Sequence, residues 1–506
     1  MRASLSGRLP NLRIVLRDLG RLVPTLVIAM VLASSVVALA FGELFALLPL
    51  GVTAGVSLAV AALLYLPFRR AGEAKLKHVL VTGAASWVLI SFLGAIPLLL
   101  LAHAAPNVSE SLAGFRDPTN AFFESVSGFT ATGLTMAPHP EDLPRVFQWW
   151  RSFIEWIGGL GIVVLMLTFI ASTGTKVSTL YFAEREEKVH PSVFSTSRTI
   201  IGIFILYTVG GTIALWAMRM DFWDALNHTM TAISTAGFST RAESVGYYTA
   251  ARGYLPTGIQ VVLGILMLAG ATNFTVHWEL LRGRWRILWE DVQTRWLLLL
   301  VVVWIISLFV ENLLLLPARS AASLSSFQAI SAMTTTGFQT ADVRPWSETA
   351  KLILSLSMFV GAASGSTGGG IKVLRAVILV RGVGWRLRRA FSPPSAVVPF
   401  RLGRKAFSEQ EAEKRIEAAA LLTFLWAAFI GLGVVVLLHT VSSDFTLGDM
   451  ILEVTSAQGG VGMTSGITGP SMNTWAKLVL CLNMWVGRIE IIPVLMLVRS
   501  LFRGLR

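Results

Sequence analysis

Four short stretches of the chain end at a glycine that follows small or polar residues. Nine positions before this glycine stands Glu124, His228, Gln328 or Glu453, and six positions before it stands a serine or a threonine. Glycine reaches backbone conformations that are closed to other residues, so successive carbonyl groups can turn toward one axis and replace the hydration shell of a cation. The candidate coordinating residues are Ala131, Thr132 and Gly133; Thr235, Ala236 and Gly237; Thr335, Thr336 and Gly337; and Gly460, Val461 and Gly462.

Four copies in one chain suggest four quarters of a ring around a pore. The glycines could instead serve helix packing, but their alignment in four copies favours a filter for ions. The tips carry no acidic ring, which argues against calcium selectivity. The fourth copy, Gly459-Gly460-Val461, lacks the Thr/Ser run of the others, and we expect it to be more flexible.

The composition is that of a membrane protein. Hydrophobic residues make up 54% of the chain and charged residues only 14%, with a mean hydropathy of +0.67. These values lie far from those of a soluble domain. The single cysteine, Cys481, excludes an intramolecular disulfide and a cysteine-rich metal site.

Apolar runs of spanning length predict ten transmembrane segments, which put both termini on the same side of the membrane. They lie at roughly 22–40, 46–68, 79–103, 148–172, 199–218, 257–279, 296–316, 350–380, 417–439 and 475–498. Most basic residues lie at the two termini and in alternate loops, above all between Lys372 and Arg415. Both termini are therefore predicted to be cytoplasmic. This explains the net charge of +13 without nucleic acid as a partner. The scattered N-terminal arginines favour a retained helix over a cleaved signal.

The filter stretches fall in the opposite set of loops, each after a helix too short to span, such as Thr119 to Phe129. Irregular backbone at membrane depth is tolerated only where protein buries it or where it lines water. The negative C-terminal ends of these short helices would favour a cation. The sequence therefore predicts an all-α polytopic membrane protein in which four pseudo-symmetric helix–re-entrant pore helix–helix units surround one pore, after two extra transmembrane helices. The predicted boundaries are 1–74 for the leading pair and 75–185, 186–290, 291–400 and 401–506 for the four pore repeats.

A second glycine-rich stretch interrupts the apolar run of the third repeat between Gly361 and Lys372. A phosphate-binding loop would need its lysine at position 371, where the chain has isoleucine, and no soluble strand precedes the stretch. So many glycines predict a break in the helix within the membrane. The break could be a passive kink or a mobile loop, with these candidate residues: Gly361, Gly365, Gly368, Gly369, Gly370 and Lys372.

Arg488 lies well inside the last apolar run. A charged group exposed to lipid at the bilayer centre costs at least ~2.5–3.5 kcal/mol, so Arg488 requires a partner or a watery cavity. Glu490 is too close in sequence to face it on a helix. An ion pair with another acid is the alternative to a place in the pore, the candidates being Glu124, Glu155, Glu311 and Glu453.

Nearly the whole chain resembles the TrkH branch of the Trk/Ktr/HKT superfamily of potassium transporters. The supporting stretches are Trp156-Ile157-Gly158-Gly159-Leu160-Gly161-Ile162, Ala269-Gly270-Ala271-Thr272-Asn273-Phe274 and Trp485-Val486-Gly487-Arg488-Ile489-Glu490-Ile491. The resemblance implies a gated, channel-like route for potassium uptake across the bacterial cytoplasmic membrane. Potassium is then the transported ion, with no bound cofactor and no enzymatic activity.

The same resemblance implies a homodimer in which each subunit has its own pore. It also implies a cytosolic nucleotide-binding regulatory subunit (TrkA-like), a gate at the loop from Gly361 to Lys372, and an electrostatic barrier at Arg488. Glycine in all four filter positions resembles the potassium-preferring members. Two alternatives stay open: a symporter driven by protons or sodium, and a sodium-permeable HKT-like transporter. Symporters usually have inverted repeats, whereas these repeats run the same way up.

Overall fold

The structure is a computed structural model that describes residues 9–173, 193–250, 253–393, 396–403 and 405–504. Its regular structure is almost entirely helical, which confirms the predicted all-α class. The basic residues before residue 9 and between 174 and 192 lie outside the described residues, as does the predicted boundary between 185 and 186. The other repeat boundaries stay predictions.

Two helices precede the repeats, and they form a hairpin: α1 (Leu9–Ala40) and α2 (Leu47–Tyr65). The turn between them carries Glu43, whose carboxylate accepts hydrogen bonds from the amides of Arg145 and Val146, both at 2.8 Å. These amides begin the helix that starts at Arg145, and the first backbone N–H groups of a helix lack partners within the helix. The leading hairpin is therefore joined to the first repeat by these two hydrogen bonds.

Each repeat consists of an outer helix, a short pore helix and an inner helix. The outer helices are α3 (Leu76–Ala104), α7 (Val193–Ala217), α13 (Val292–Asn312) and α17 (Glu409–Thr440). The pore helices are α5 (Pro118–Phe129), α8 (Phe222–Ile233), α14 (Ala318–Met333) and α18 (Leu447–Gly459). Short helices α4 (Glu110–Gly114), α9 (Gly246–Ala250) and α12 (Ile287–Glu290) lie in the connections.

The inner helix is continuous in the first repeat and broken in the other three. It is α6 (Arg145–Thr173) in the first repeat. The broken ones are α10 with α11 (Pro256–Ala271, Phe274–Leu281), α15 with α16 (Glu348–Val360, Val373–Ala390) and α19 with α20 (Thr474–Ile489, Ile491–Arg503). The first and last of these pairs bend by 112° and 113°. The spans predicted at 257–279 and 475–498 are therefore each a pair of helices, because the chain turns sharply at Asn273 and Glu490.

Among the described residues, six helices are long and apolar enough to cross a membrane, or eight if each bent pair counts as one span. The predicted span 350–380 is not among them, because the glycine-rich stretch divides it. The span predicted at 148–172 lies within α6, whose side chains are described only as far as residue 161.

The charged stretch from Arg401 to Glu417 has a helix-prone composition, but it begins with a strand hairpin and not with a helix. Strands β1 (Phe400–Leu402) and β2 (Lys405–Phe407) form an antiparallel hairpin. The helix starts only at Glu409, where the Ser408 hydroxyl accepts the amide of Glu411. The hairpin forms because Gly403, with φ of 59°, supplies a left-handed turn residue.

A buried ion pair joins the third and fourth repeats. Lys351 on α15 contacts Asp449 on pore helix α18 at 2.8 Å, and both side chains are almost fully buried. Asp449 also accepts the amide and the hydroxyl of Thr446, each at 2.9 Å, and so caps the pore helix. One side chain thus fixes both the start of the fourth pore helix and its neighbour.

We expect Lys351→Met to lower the stability of the purified protein by about 3–5 kcal/mol, because it leaves a buried carboxylate unpaired. The double variant Lys351→Met/Asp449→Asn should recover most of this loss. The measurement is the free energy of unfolding in mixed micelles. The exposed pair Arg284–Glu279 provides the control, since Arg284→Met should cost no more than ~1 kcal/mol. Equal losses at the two sites would contradict the importance of the buried pair.

Candidate ion-conducting site

All four pore helices end in the same hydrogen-bonded turn. In the first repeat, the amide of Ala131 donates to the carbonyl of Gly128 at 2.9 Å and that of Thr132 to Ser127 at 2.8 Å. The other repeats make the equivalent bonds at 2.9–3.2 Å. This is the Schellman pattern, which requires a left-handed residue just beyond the helix. The left-handed residues are Ala131, Thr235, Thr335 and Gly460, with φ of 53°, 50°, 57° and 64°.

The four filter glycines close a ring. Their φ values are 88°, 90°, 84° and 92° in chain order, a region that favours glycine. A Cβ atom on any of them would lie 1.8–2.2 Å from a carbonyl oxygen of the next repeat. The pairs are Gly133 with Ala236, Gly237 with Thr336, Gly337 with Val461, and Gly462 with Thr132. The twelve residues that the sequence singles out are thus brought together. We call the extended segment that begins with each triplet a filter strand. The fourth filter strand has the same left-handed turn as the others.

Two carboxylates hold the backbone just beyond the filter. Glu124 accepts the amide of Met136 at 2.6 Å. Glu453 accepts the amide of Ser465 at 3.0 Å. These side chains occupy equivalent positions in repeats one and four. Both therefore bind backbone amides.

The other two repeats use different side chains at this position. His228 bonds the hydroxyl of Ser239 at 3.0 Å. Gln328 is fully buried, and neither atom of its amide group has a hydrogen-bond partner within the described structure. The third strand is held instead by the Ser331 hydroxyl, which donates to the carbonyl of Phe338 at 2.8 Å.

Arg151 and Glu155 on α6 link the first two filter strands. Arg151 donates to Glu124 at 2.6 Å and to the carbonyl of Ser239 at 3.1 Å. Glu155 accepts the amide of Phe238 with both oxygens, at 3.1 and 3.2 Å. Their role behind the filter was not predicted from the sequence. The available signal was two opposite charges four positions apart inside a predicted span.

A hydrogen-bonded cluster supports the outer loop of the second repeat. Asp224 accepts the hydroxyls of Thr240 and Tyr248 at 2.8 and 2.7 Å, and the guanidinium of Arg241 at 2.8 Å. Burial, followed by the adjacent charge of Asp224, raises the pKa of Tyr248. Tyr248 therefore keeps its proton at physiological pH and stays a donor.

The glycine-rich loop from Gly361 to Lys372 contacts three pore helices at the ends where the filter strands begin. The amide of Gly370 donates to the carbonyl of Gly459 at 3.1 Å. The amide of Gly369 donates to the Thr335 hydroxyl at 2.7 Å. The Thr367 hydroxyl bonds the carbonyl of Ile233 at 3.1 Å. The loop also bonds to itself, since the Lys372 ammonium donates to the carbonyl of Gly368. The predicted helix break is present, and it lies directly against the filter.

Arg488 connects this loop to the first repeat. Its guanidinium donates to the carbonyl of Thr367 at 2.7 Å and to the carbonyls of Gly158 and Gly159 on α6. Within the described structure, its hydrogen bonds go to these carbonyls and not to a carboxylate. The four candidate acids are engaged elsewhere: Glu124 with Arg151, Glu155 with Phe238, Glu311 with Ser347, and Glu453 with Ser465.

Glu490 marks the break in the last inner helix and was not predicted to have a role. It has a φ of 67° and pairs with Arg375 at 2.7 Å. Arg375 lies in the first turn of α16, directly after the glycine-rich loop. The ion pair therefore joins the two inner-helix breaks of repeats three and four.

A closed ring of carbonyls inside a bundle of spanning helices defines a polytopic membrane transport protein. The sequence profile of TrkH, described as cation transport proteins, matches residues 52–502. The chain belongs to this family.

Individual relatives agree with this assignment. The chain is 33% identical to a cation transporter of Methanocaldococcus jannaschii, over 85% of this chain and 83% of that protein. It is 31% identical to the Trk system potassium uptake protein TrkH of Escherichia coli, over 88% and 90% of the two chains. The crystal structure of the potassium transporter TrkH from Vibrio parahaemolyticus superposes with a TM-score of 0.80 at 26% identity, covering 97% of this chain and 99% of the other.

We expect Gly337→Ser to reduce the preference among monovalent cations, because its Cβ would meet the Val461 carbonyl oxygen at 1.8 Å. Gly466→Ser is the matched control. Gly466 has a φ of 90°, but apart from its chain neighbours no atom of the described residues lies within 4 Å of the place that a Cβ would take. Both variants carry the backbone cost of roughly 1–2 kcal/mol, but only one disturbs the ring. Competition between cations for uptake into vesicles measures the effect, and equal selectivity in the two variants would contradict the filter assignment.

Proposed function

We propose that this chain carries potassium into the cell through a gated, channel-like pore, as the translocating subunit of a Trk-type system. The observation that supports this most directly is the closed ring in which each filter glycine touches a carbonyl of the next repeat. Such a ring offers backbone oxygens to a dehydrated cation. The relatives named as potassium uptake proteins support potassium as that cation.

The filter lowers the cost of removing water from the ion. Backbone carbonyls of the four strands take the place of hydration water, and the C-terminal ends of the four pore helices add partial negative charge on the same side. The residues proposed to coordinate the ion are the twelve of the four filter triplets. Glu124, Glu453 and Glu155 contribute by fixing the backbone, because their oxygens are occupied by amides.

The loop from Gly361 to Lys372 is proposed as the gate. Its residues bond to the pore-helix ends of the second and fourth repeats and to the third filter strand. These bonds support a loop that closes the exit from the filter and has to move before an ion can pass. The six residues proposed for the gate include all four glycines between Gly365 and Gly370, together with Gly361 and Lys372.

Arg488 is proposed as a barrier to cations at the same exit. Its charge has carbonyl partners instead of a carboxylate, so it is not neutralised by an ion pair. The side chain is only half-buried. A fixed positive charge there repels an approaching cation, and its bond to Thr367 also holds the loop.

The proposal also includes the orientation of the chain in the membrane and its partner chains. The basic termini and loops support a cytoplasmic location of both ends in a bacterial inner membrane. The relatives' description as Trk system proteins supports a chain that works with other components of such a system. We propose that these are a second copy of the chain, in a homodimer, and a cytosolic nucleotide-binding regulatory subunit (TrkA-like). Exposed Phe391 and Val397, in the segment between α16 and β1, offer apolar contacts for such a subunit.

Flux into vesicles that contain the purified protein tests the proposal. We expect potassium and rubidium to enter faster than sodium, with a rate that follows the potassium gradient and does not depend on an imposed proton or sodium gradient. Shortening the loop between Gly361 and Gly370 should increase flux. A fixed coupling of potassium entry to protons or sodium would establish a symporter instead, and equal sodium flux would establish the sodium-permeable alternative.

We expect Arg488→Gln to conduct at least about tenfold faster than the parent protein, because ~1.4 kcal/mol of repulsion already corresponds to a factor of ten. The variant should unfold at nearly the parent's temperature, since no carboxylate loses its partner. Melting temperature and flux are measured on one preparation. A strongly destabilised protein without a gain in flux would contradict the barrier role.

A further inference from the structure

Two of the four filter strands contain a threonine where threonine is poorly accommodated. Thr235 and Thr335 have φ of 50° and 57°. For a β-branched residue this region is a genuine outlier, costly in backbone energy. The equivalent positions in repeats one and four hold Ala131 and Gly460, which fit it better. Strain of this kind persists only where surrounding contacts hold it.

The glycine-rich loop contacts the hydroxyls of both threonines, and the Thr235 hydroxyl also bonds the carbonyl of Ser234 at 2.7 Å. The Thr235 hydroxyl donates to the Thr367 hydroxyl at 3.1 Å. The Thr335 hydroxyl accepts the amide of Gly369 at 2.7 Å. The loop comes so close that a Cβ on Gly368 would lie 2.9 Å from the Thr335 hydroxyl oxygen. The strained threonines are therefore the two whose hydroxyls touch the loop.

The third strand is held from behind by one hydroxyl, that of Ser331, which donates to the carbonyl of Phe338 at 2.8 Å. The position that carries Glu124 in the first repeat and Glu453 in the fourth carries Gln328, whose amide group has no hydrogen-bond partner within the described structure. The hydroxyl of Thr340, three residues after Gly337, also has none there. The bond from Gly369 therefore adds to the bond between Ser331 and Phe338 in supporting this strand.

We propose that Thr235 and Thr335 are positioning residues that couple the gate loop to the occupancy of the filter. This rests on the proposed function. The docked loop stabilises the left-handed turns that aim the filter carbonyls at the axis. A cation in the filter stabilises the same conformation, because carbonyl dipoles that point at one another repel when no ion lies between them.

The two effects are linked thermodynamically. If the docked loop raises the affinity of the filter for potassium, then potassium in the filter must favour the docked loop by the same factor. A filter without potassium therefore releases the loop more readily. The hydroxyls of Thr235 and Thr335 carry this coupling, since they are the side-chain atoms that touch both the strained turns and the loop.

The accessibility of the loop reports the coupling without measuring transport. Ser364 is half-buried on the loop, so Ser364→Cys provides a thiol of nearly the same size. Cys481→Ala removes the single native thiol. A polar maleimide is added to the full-length protein in micelles, in potassium chloride or in choline chloride of equal ionic strength. Choline is too large to replace potassium among the filter carbonyls.

We expect potassium to slow labelling at least about fivefold, the lower end of usual couplings between sites. The readout is the labelling rate in choline divided by the labelling rate in potassium. In the double variant Thr235→Ala/Thr335→Ala this ratio should approach one, because labelling in potassium becomes faster. Thr235→Ser/Thr335→Ser keeps both hydroxyls and should retain the parent ratio. Thr334→Ala is the matched control, because its hydroxyl bonds Ile330 and Thr336 and not the loop.

A double-mutant cycle tests the direct bond. Thr235→Ala and Thr367→Ala should each reduce the ratio, and the combined variant should lose no more than the larger single effect. The coupling would be overturned if the parent protein were labelled equally fast in potassium and in choline. It would also be overturned if Thr235→Ala/Thr335→Ala showed the same ratio of labelling rates as the parent. If either result is found while the protein still carries potassium, only the coupling is contradicted. If the protein carries no potassium, the proposed function is contradicted as well as the coupling.

Discussion

The structure depends on a requirement of the backbone in the filter. Carbonyl groups of four chain segments must point at one axis, and a regular helix or strand cannot arrange them so. The solution is a helix that ends in a left-handed residue, followed two positions later by a glycine that touches the next repeat. Because irregular backbone in a membrane must be satisfied by protein, each segment needs supports behind it. Glu124, Glu155, Glu453 and Arg151 provide these supports, and their burial follows from that task.

The four repeats share a backbone but not a set of side chains. The supporting position holds two carboxylates, one histidine and one glutamine, and the left-handed position holds alanine, glycine and two threonines. The inner helices differ in the same way, since one is continuous and three are broken. The ring is therefore fourfold in the atoms that face the axis and asymmetric in what lies behind them. One loop, from the third repeat, bonds to the ends of the second and fourth pore helices and to the third strand.

The sequence was sufficient for the parts of the fold that local chemistry determines. The aligned glycines indicated the ring, the short helices before them were recognisable, and the glycines after Val360 indicated the broken helix. The sharp turns at Asn273 and Glu490 were not predictable, because apolar residues on both sides resemble one span. The partners of Arg488 were equally hidden, since carbonyls of Thr367, Gly158 and Gly159 carry no signal in the side-chain sequence. Residue types do not reveal contacts of a side chain with backbone atoms that are distant in the sequence.

The contact between Gly462 and Thr132 has a consequence for biosynthesis. The first three contacts of the ring join repeats that leave the ribosome one after another, but this one joins the last repeat to the first. Until the fourth pore helix has been made, the Thr132 carbonyl of the first strand and Gly337 of the third strand lack the neighbours that they contact in the finished ring. The ring therefore closes only when nearly the whole chain has been synthesised.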